Sequence, residues 1–299
     1  MSSTQTSIET LTDASDSTRP GAQAPMVAIV LSVLLVAVYW KILKGMGIQW
    51  WDDPNYSHGF LVPLFSLYIV WRQRAALRAL PWRGSIVGIP VTLAGISFLL
   101  LGDLGAENFL MRTSLIVVLA GLILFHLGIA VFRGVLFPLA FLLFMVPLPG
   151  VIFYAMTFPL QHLAAQQATW VLDSLGVPVL LDGNIIHLAQ LSLGVTEACS
   201  GIRSLISLFA GAVAWAYLLL PGRWSMAIFV AATVPITILA NATRVVLTGL
   251  IGEYVAVEYA SGFFHEFAGW VIYLFAFACL LATHRVTLLF ARLARRRRP

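Results

Sequence analysis

Charge is what this sequence has least of. Asp, Glu, Lys and Arg together supply 10% of its 299 residues, where a soluble domain carries about a quarter. With 60% of positions hydrophobic and a mean hydropathy of +0.91, the composition excludes an ordinary soluble domain and points to the bilayer as solvent. Cysteine is scarcer still. Only Cys199 and Cys279 occur, which excludes a disulfide framework. Neither C-x-x-C nor H-E-x-x-H is present, so no metal centre and no cofactor is expected. Residues 1–25 have neither a basic start nor an early apolar core, so no cleavable leader is expected there. Their Ser/Thr-rich composition reads as a disordered tail. No internal repeat of the kind that marks many transporters is visible. The net charge of +5 does not signal nucleic acid, because the Arg clusters flank apolar runs, as topology determinants do. The densest cluster, in "ARLARRRRP" at the carboxyl end, reads as a stop signal in contact with anionic lipid.

What is there is a series of apolar runs. A spanning helix needs about 20 such residues. Eight candidates are found, at 26–43, 58–71, 85–102, 113–132, 134–149, 202–220, 225–247 and 268–290, with basic ends at 291–299. The expected fold is therefore an all-α polytopic integral membrane protein with about eight transmembrane helices. Between the fifth and sixth runs, "FPLQHLAAQQATWVLDSLG" reads as an amphipathic helix at the interface. "VPVLLDGNIIHLAQLSLGV" reads as a short hairpin around Asp182, Gly183 and Asn184.

Basic residues set orientation. They crowd alternate connections: Arg72, Arg74, Arg78 and Arg83 after the second run, Arg133 after the fourth, Arg223 after the sixth, and the final Arg run. Placing those connections in the cytoplasm puts both termini inside. All of the 18 basic residues except Lys41, Lys44, Arg112, Arg203 and Arg244 then lie inside, and all of the 13 acidic residues except Glu9, Asp13 and Asp16 lie outside.

This topology brings chemistry to one face. Cys199, in "LGVTEACSGIRSL", precedes the sixth run at its outer end. Asn241 and Arg244 end the seventh, and His265 begins the eighth. A thiol reacts as thiolate. A helix start favours that negative charge, and Arg203, four residues on, shares its face if the helix has begun. An Arg holds a developing oxyanion, and a His protonates a departing amine. Singly, each residue has a plainer reading. Cys279 is a packing residue, Arg244 a snorkelling cation, His265 an interfacial polar group and Asn241 a helix-packing hydrogen bonder. Glu197 either orients His265 or Arg203 or caps the helix. His58, in "YSHGF", lies at an outer helix end, where it touches substrate or simply meets the interface. Asp52 and Asp53 read as loop residues, and His126, His162, His187 and His284 form no cluster.

The segments "TEACSGIRSL", "ANATRVVLTG" and "FFHEFAGW", in that order, resemble the signature of the exosortases. "WWDDPNYSHGFLVPLFSLYIVWRQR" and "MVPLPG" resemble that family's amino-terminal half, so the likeness spans roughly residues 26–290. The resemblance implies a multi-pass protein of the bacterial inner membrane with its active site facing the periplasm. It implies a cysteine transpeptidase or protease acting on proteins with a carboxyl-terminal sorting signal: a Pro-Glu-Pro motif, one transmembrane helix and an Arg-rich cytoplasmic end. Protein sorting and exopolysaccharide production are the implied setting. Carried over, Cys199 is the nucleophile, Arg244 the catalytic cation and His265 the proton donor. Arg203, Glu197, Asn241 and His58 are candidate substrate contacts, and the acceptor is an amine, a lipid-linked group or water. Some members carry a further carboxyl-terminal domain, which this chain is not expected to have. The competing readings are a transporter, which intramembrane Arg, His and Glu often mark, and a non-catalytic assembly factor for exopolysaccharide export. Tolerance of Cys199→Ser distinguishes them from an enzyme.

Overall fold

A computed structural model describes residues 24–195, 201–255 and 263–296. The chain divides into two compact units meeting at Pro149 and Gly150, each described by itself below. Both are helical, and together the described residues hold five helices long and apolar enough to cross a membrane. The all-α polytopic expectation holds, with one small sheet added.

The first unit opens with α1 (Ala24–Asp52), a 29-residue helix about 44 Å long at 1.5 Å per residue. A 3-10 turn (Ser57–Phe60), α2 (Leu61–Arg72) and the short α3 (Arg74–Arg78) follow. Then come α4 (Gly88–Leu104), α5 (Asn108–Phe141) and a second 3-10 turn (Leu142–Met145). Along α1, Met26, Ile29, Val33, Leu34 and Trp40 are exposed. In water such a surface would be untenable, whereas in a bilayer lipid tails cover it.

The tightest packing in this unit is a glycine seam. Gly88, Gly95 and Gly102 recur every seven residues on one face of α4, and the seam runs antiparallel to α5. A Cβ on Gly95 would stand 2.8 Å from the Val118 amide nitrogen. One on Gly102 would stand 2.8 Å from that of Met111, and one on Gly88 would stand 2.5 Å from the Gly121 carbonyl oxygen. Lipid supplies no hydrophobic drive between helices, so close backbone approach through small residues carries the association. The turn after α4 then starts α5 with a side-chain cap, the Glu107 carboxylate accepting from the Leu110 amide at 2.7 Å and satisfying one of the helix's orphan donors.

The fourth and fifth expected runs are joined. No loop separates residues 132 and 134. Instead α5 breaks at Gly128, whose φ of 85° is non-helical. The Arg83 carbonyl oxygen occupies the place a Gly128 side chain would need. The Ser85 amide donates to the Leu124 carbonyl at 3.0 Å, the carbonyl that a helical Gly128 would have used. Freed backbone groups at membrane depth are thus satisfied by protein.

The second unit holds α6 (Gly150–Ser174), a sheet, α7 (Ile202–Leu219), α8 (Arg223–Tyr254) and α9 (Phe263–Arg296). The amphipathic helix expected from about residue 158 begins earlier, at Gly150. It buries a stripe running Phe153, Thr157, Gln161, Ala165, Ala168 and Leu172. The expected hairpin is present as β1 (Leu180–Asp182) and β2 (Ile185–His187), joined at Gly183 with φ 60°, a glycine-first two-residue turn. A third strand, β3 (Ser192–Gly194), extends it antiparallel in the order β1-β2-β3. On α6, His162 Nδ1 lies 3.1 Å from the Gly183 carbonyl oxygen and its Nε2 lies 2.8 Å from Gln166 Nε2, tying helix to turn. One apolar cluster joins Ala164, Ala168, Leu172, Ile186, Val195, Val245 and Val246 across α6, the sheet and α8. A second joins Leu208, Ala212 and Ala216 of α7 to Phe229 and Ala240 of α8 and to Ala276 and Leu280 of α9.

Candidate active site

The site is built on α8. Asn241 and Arg244 lie three residues apart on this 32-residue helix and so share a face. Asn241 is buried at 6% exposure, and Arg244 is half-buried. Two glycines from other elements lie against them. A Cβ on Gly201 would stand 3.1 Å from both Cβ and Cγ of Asn241. One on Gly269 would stand 3.5 Å from Nη2 and 3.6 Å from Cζ of Arg244. The start of α7 and the first turns of α9 therefore converge on one turn of α8.

Local sequence explains the approach. Gly201 takes φ 79°, the left-handed region that glycine adopts without penalty, and precedes Ile202 at the start of α7. Its carbonyl accepts the helix's first backbone bond, from Leu205 at 2.8 Å. Gly269 leaves room beside a guanidinium that a side chain much larger than Ala would crowd. His265 stands four residues before Gly269 in α9, one helical turn away.

Glu197 and Cys199 lie outside the described residues, and of His265 only its place in α9 is described. Both flanks of the Cys199 segment are well held. Upstream, Val195 is 1% exposed and doubly bonded to Asn184: its amide donates to the Asn184 carbonyl at 2.8 Å, and Asn184 Nδ2 donates to its carbonyl at 3.0 Å. Downstream, Ile202 is fully buried. Arg203 is exposed on the first turn of α7, its carbonyl accepting from Ser207 Oγ at 2.8 Å. The sequence pattern missed Asn184, Gly201 and Gly269. Asn184 was readable only as a turn residue, and the glycines matter through contacts between distant segments.

His58 belongs to the first unit. Its Nε2 lies 3.2 Å from the Phe144 carbonyl oxygen, while Trp50 Nε1 donates to the neighbouring Met145 carbonyl at 2.9 Å. His58 and the end of α1 are thereby tied to consecutive carbonyls of the second 3-10 turn. Among the described residues no group of His, Cys, Asp and Glu is arranged to hold a metal ion.

A polytopic helical membrane protein with a polar, glycine-lined junction of three helices is the class defined so far. The family model of the transmembrane exosortases matches residues 50–282, well over half of the chain, and the protein belongs to that family. No curated protein and no solved structure matches it.

Proposed function

We propose that this exosortase is a cysteine transpeptidase or protease of the bacterial inner membrane. Its active site faces the periplasm and comprises Cys199, Arg244 and His265. The observation that carries the reading is the contact of Gly201 and Gly269 with Asn241 and Arg244 on one turn of α8. Cys199 stands two residues before the first glycine, a reach of at most about 7 Å of extended chain. His265 stands one turn before the second.

The reaction balances as an acyl transfer. The Cys199 thiolate attacks the carbonyl carbon of a substrate peptide bond, and Arg244 holds the oxyanion that forms. As the C–N bond breaks, His265 gives its proton to the departing amine, leaving a thioester on Cys199. An amine, a lipid-linked amine acceptor or water then attacks that thioester, giving its proton to His265, and the thiolate leaves. The substrates are membrane-anchored proteins whose Pro-Glu-Pro motif precedes a single span and an Arg-rich cytoplasmic end. Arg203, exposed on α7, suits the motif's Glu, with Asn241 and Glu197 as further substrate contacts. Protein sorting coupled to exopolysaccharide production is the setting proposed.

In cells expressing such a substrate with an epitope tag, wild type shortens or transfers it and Cys199→Ala leaves it at full mass, with equal enzyme in the membrane. Processing that persists in Cys199→Ala overturns the reading and moves a transporter or assembly factor ahead.

A further inference from the structure

The first unit contains a cleft of about 590 Å³ bounded by α2, α3 and α5. Its walls are apolar: Leu67 and Val70 from α2 face Ile123 and Leu127 from α5. Beyond the carboxyl end of α2, Arg74 and Arg78 line the same cleft from one face of α3. Both are exposed. Arg74 is already steered, its Nη1 donating to the Trp71 carbonyl at 2.9 Å and its guanidinium standing 4.4 Å over the Trp71 ring. That uses one of five N–H donors. Trp71 and Trp82 beside these cations are the residues that mark headgroup depth in a bilayer. Ser66 also lines the cleft. It is 6% exposed, and its Oγ has no hydrogen-bond partner among the described residues.

Charge and size choose the occupant. None of α2, α3 and α5 carries an Asp or Glu, so the helices that form the cleft bring no anion to its two arginines. The volume suits a small-molecule-sized ligand. A substrate span with an Arg-rich end would meet like charge here. We propose that this cleft is a specific site for one anionic phospholipid. An acyl chain lies against the apolar walls, and the phosphate is held by Arg74 and Arg78. Apolar contact alone gives no preference over bulk lipid, so selectivity comes from the arginines.

The test is native mass spectrometry of the full-length protein in an uncharged detergent, with dioleoyl phosphatidylglycerol or dioleoyl phosphatidylcholine added at equal concentration. The expected result is one phosphatidylglycerol retained at least tenfold over phosphatidylcholine, a preference that weakens in high salt. In Arg74→Gln/Arg78→Gln the two lipids become equal. In Leu67→Trp, which fills the exposed wall, phosphatidylglycerol occupancy falls several-fold with an unchanged far-ultraviolet spectrum. Equal retention of the two lipids by wild type overturns the proposal, and this comparison needs no variant to fold. So does a preference that survives the double Gln change, or displacement of phosphatidylglycerol by a synthetic single-span peptide ending in arginines.

Discussion

At the scale of single residues, the site depends on two absent side chains. Gly269 leaves 3.5 Å between its ideal Cβ and Arg244 Nη2, an ordinary contact. Gly269→Ala is therefore expected to process substrate at close to the wild-type rate. Gly269→Leu drives the guanidinium from its place. Losing an oriented transition-state donor costs about 3 kcal/mol, or 10²-fold or more, so its rate should fall to that extent at normal membrane levels. Quantitative immunoblotting of substrate over time separates the two variants. If Leu is as active as Ala, Arg244 does not act in catalysis at this position.

At the scale of elements, the glycine seam of α4 gives the sharpest expectation. A side chain at Gly95 meets the Val118 backbone at 2.8 Å, and backbone cannot yield as a side-chain tip can. Gly95→Leu should destabilise the protein by about 3 kcal/mol or more, at or beyond the upper end of ordinary overpacking. Gly45→Ala on α1, where nothing lies within 4 Å, should lose nothing. Thermal shift of both variants against wild type checks the contrast, and an unaffected Gly95→Leu would mean the helices do not approach there. The same elements explain what the sequence could disclose. Helix existence was legible because apolar runs near spanning length leave few alternatives, and the β1–β2 hairpin because Asp182-Gly183-Asn184 is turn chemistry. The break in α5 was sought at Arg133, since charge commonly marks a loop. It falls at Gly128, because a carbonyl from Arg83 enters there, a contact between residues 45 positions apart. Strand β3 is three residues long and carries no periodicity to read. The site was legible as a set of reactive residue types near helix ends. The Asn184 clamp on Val195 was not, since it joins residues 11 positions apart.

At the scale of the whole molecule, the question is which connections share a side of the membrane. The basic-residue pattern assigns the Arg-rich turn around residue 79 and the α7–α8 turn to the cytoplasm, and the α4–α5 turn and the β2–β3 turn to the periplasm. Single cysteines introduced at Ala79, Pro221, Ala106 and Gln190 in a Cys199→Ala/Cys279→Ala background test this. A membrane-impermeant maleimide should label the last two in intact cells and the first two only after permeabilisation. Labelling of Ala79→Cys and Gln190→Cys from the same side would refute the proposed orientation. The outcome bears on the proposed mechanism as well, because Cys199 follows β3 by only five residues.

The two flanks of the Cys199 segment have a mechanical meaning. Val195 packs with Val245 and Val246, and Gly201 rests against Asn241, so the two residues that flank 196–200 are both moored to neighbouring turns of one beam. Both moorings, and Arg244 with them, lie on the carboxyl side of Pro235, where α8 forgoes a backbone bond. Flexing at that proline would carry both moorings and Arg244 as one piece, so the spacing between them survives such a motion.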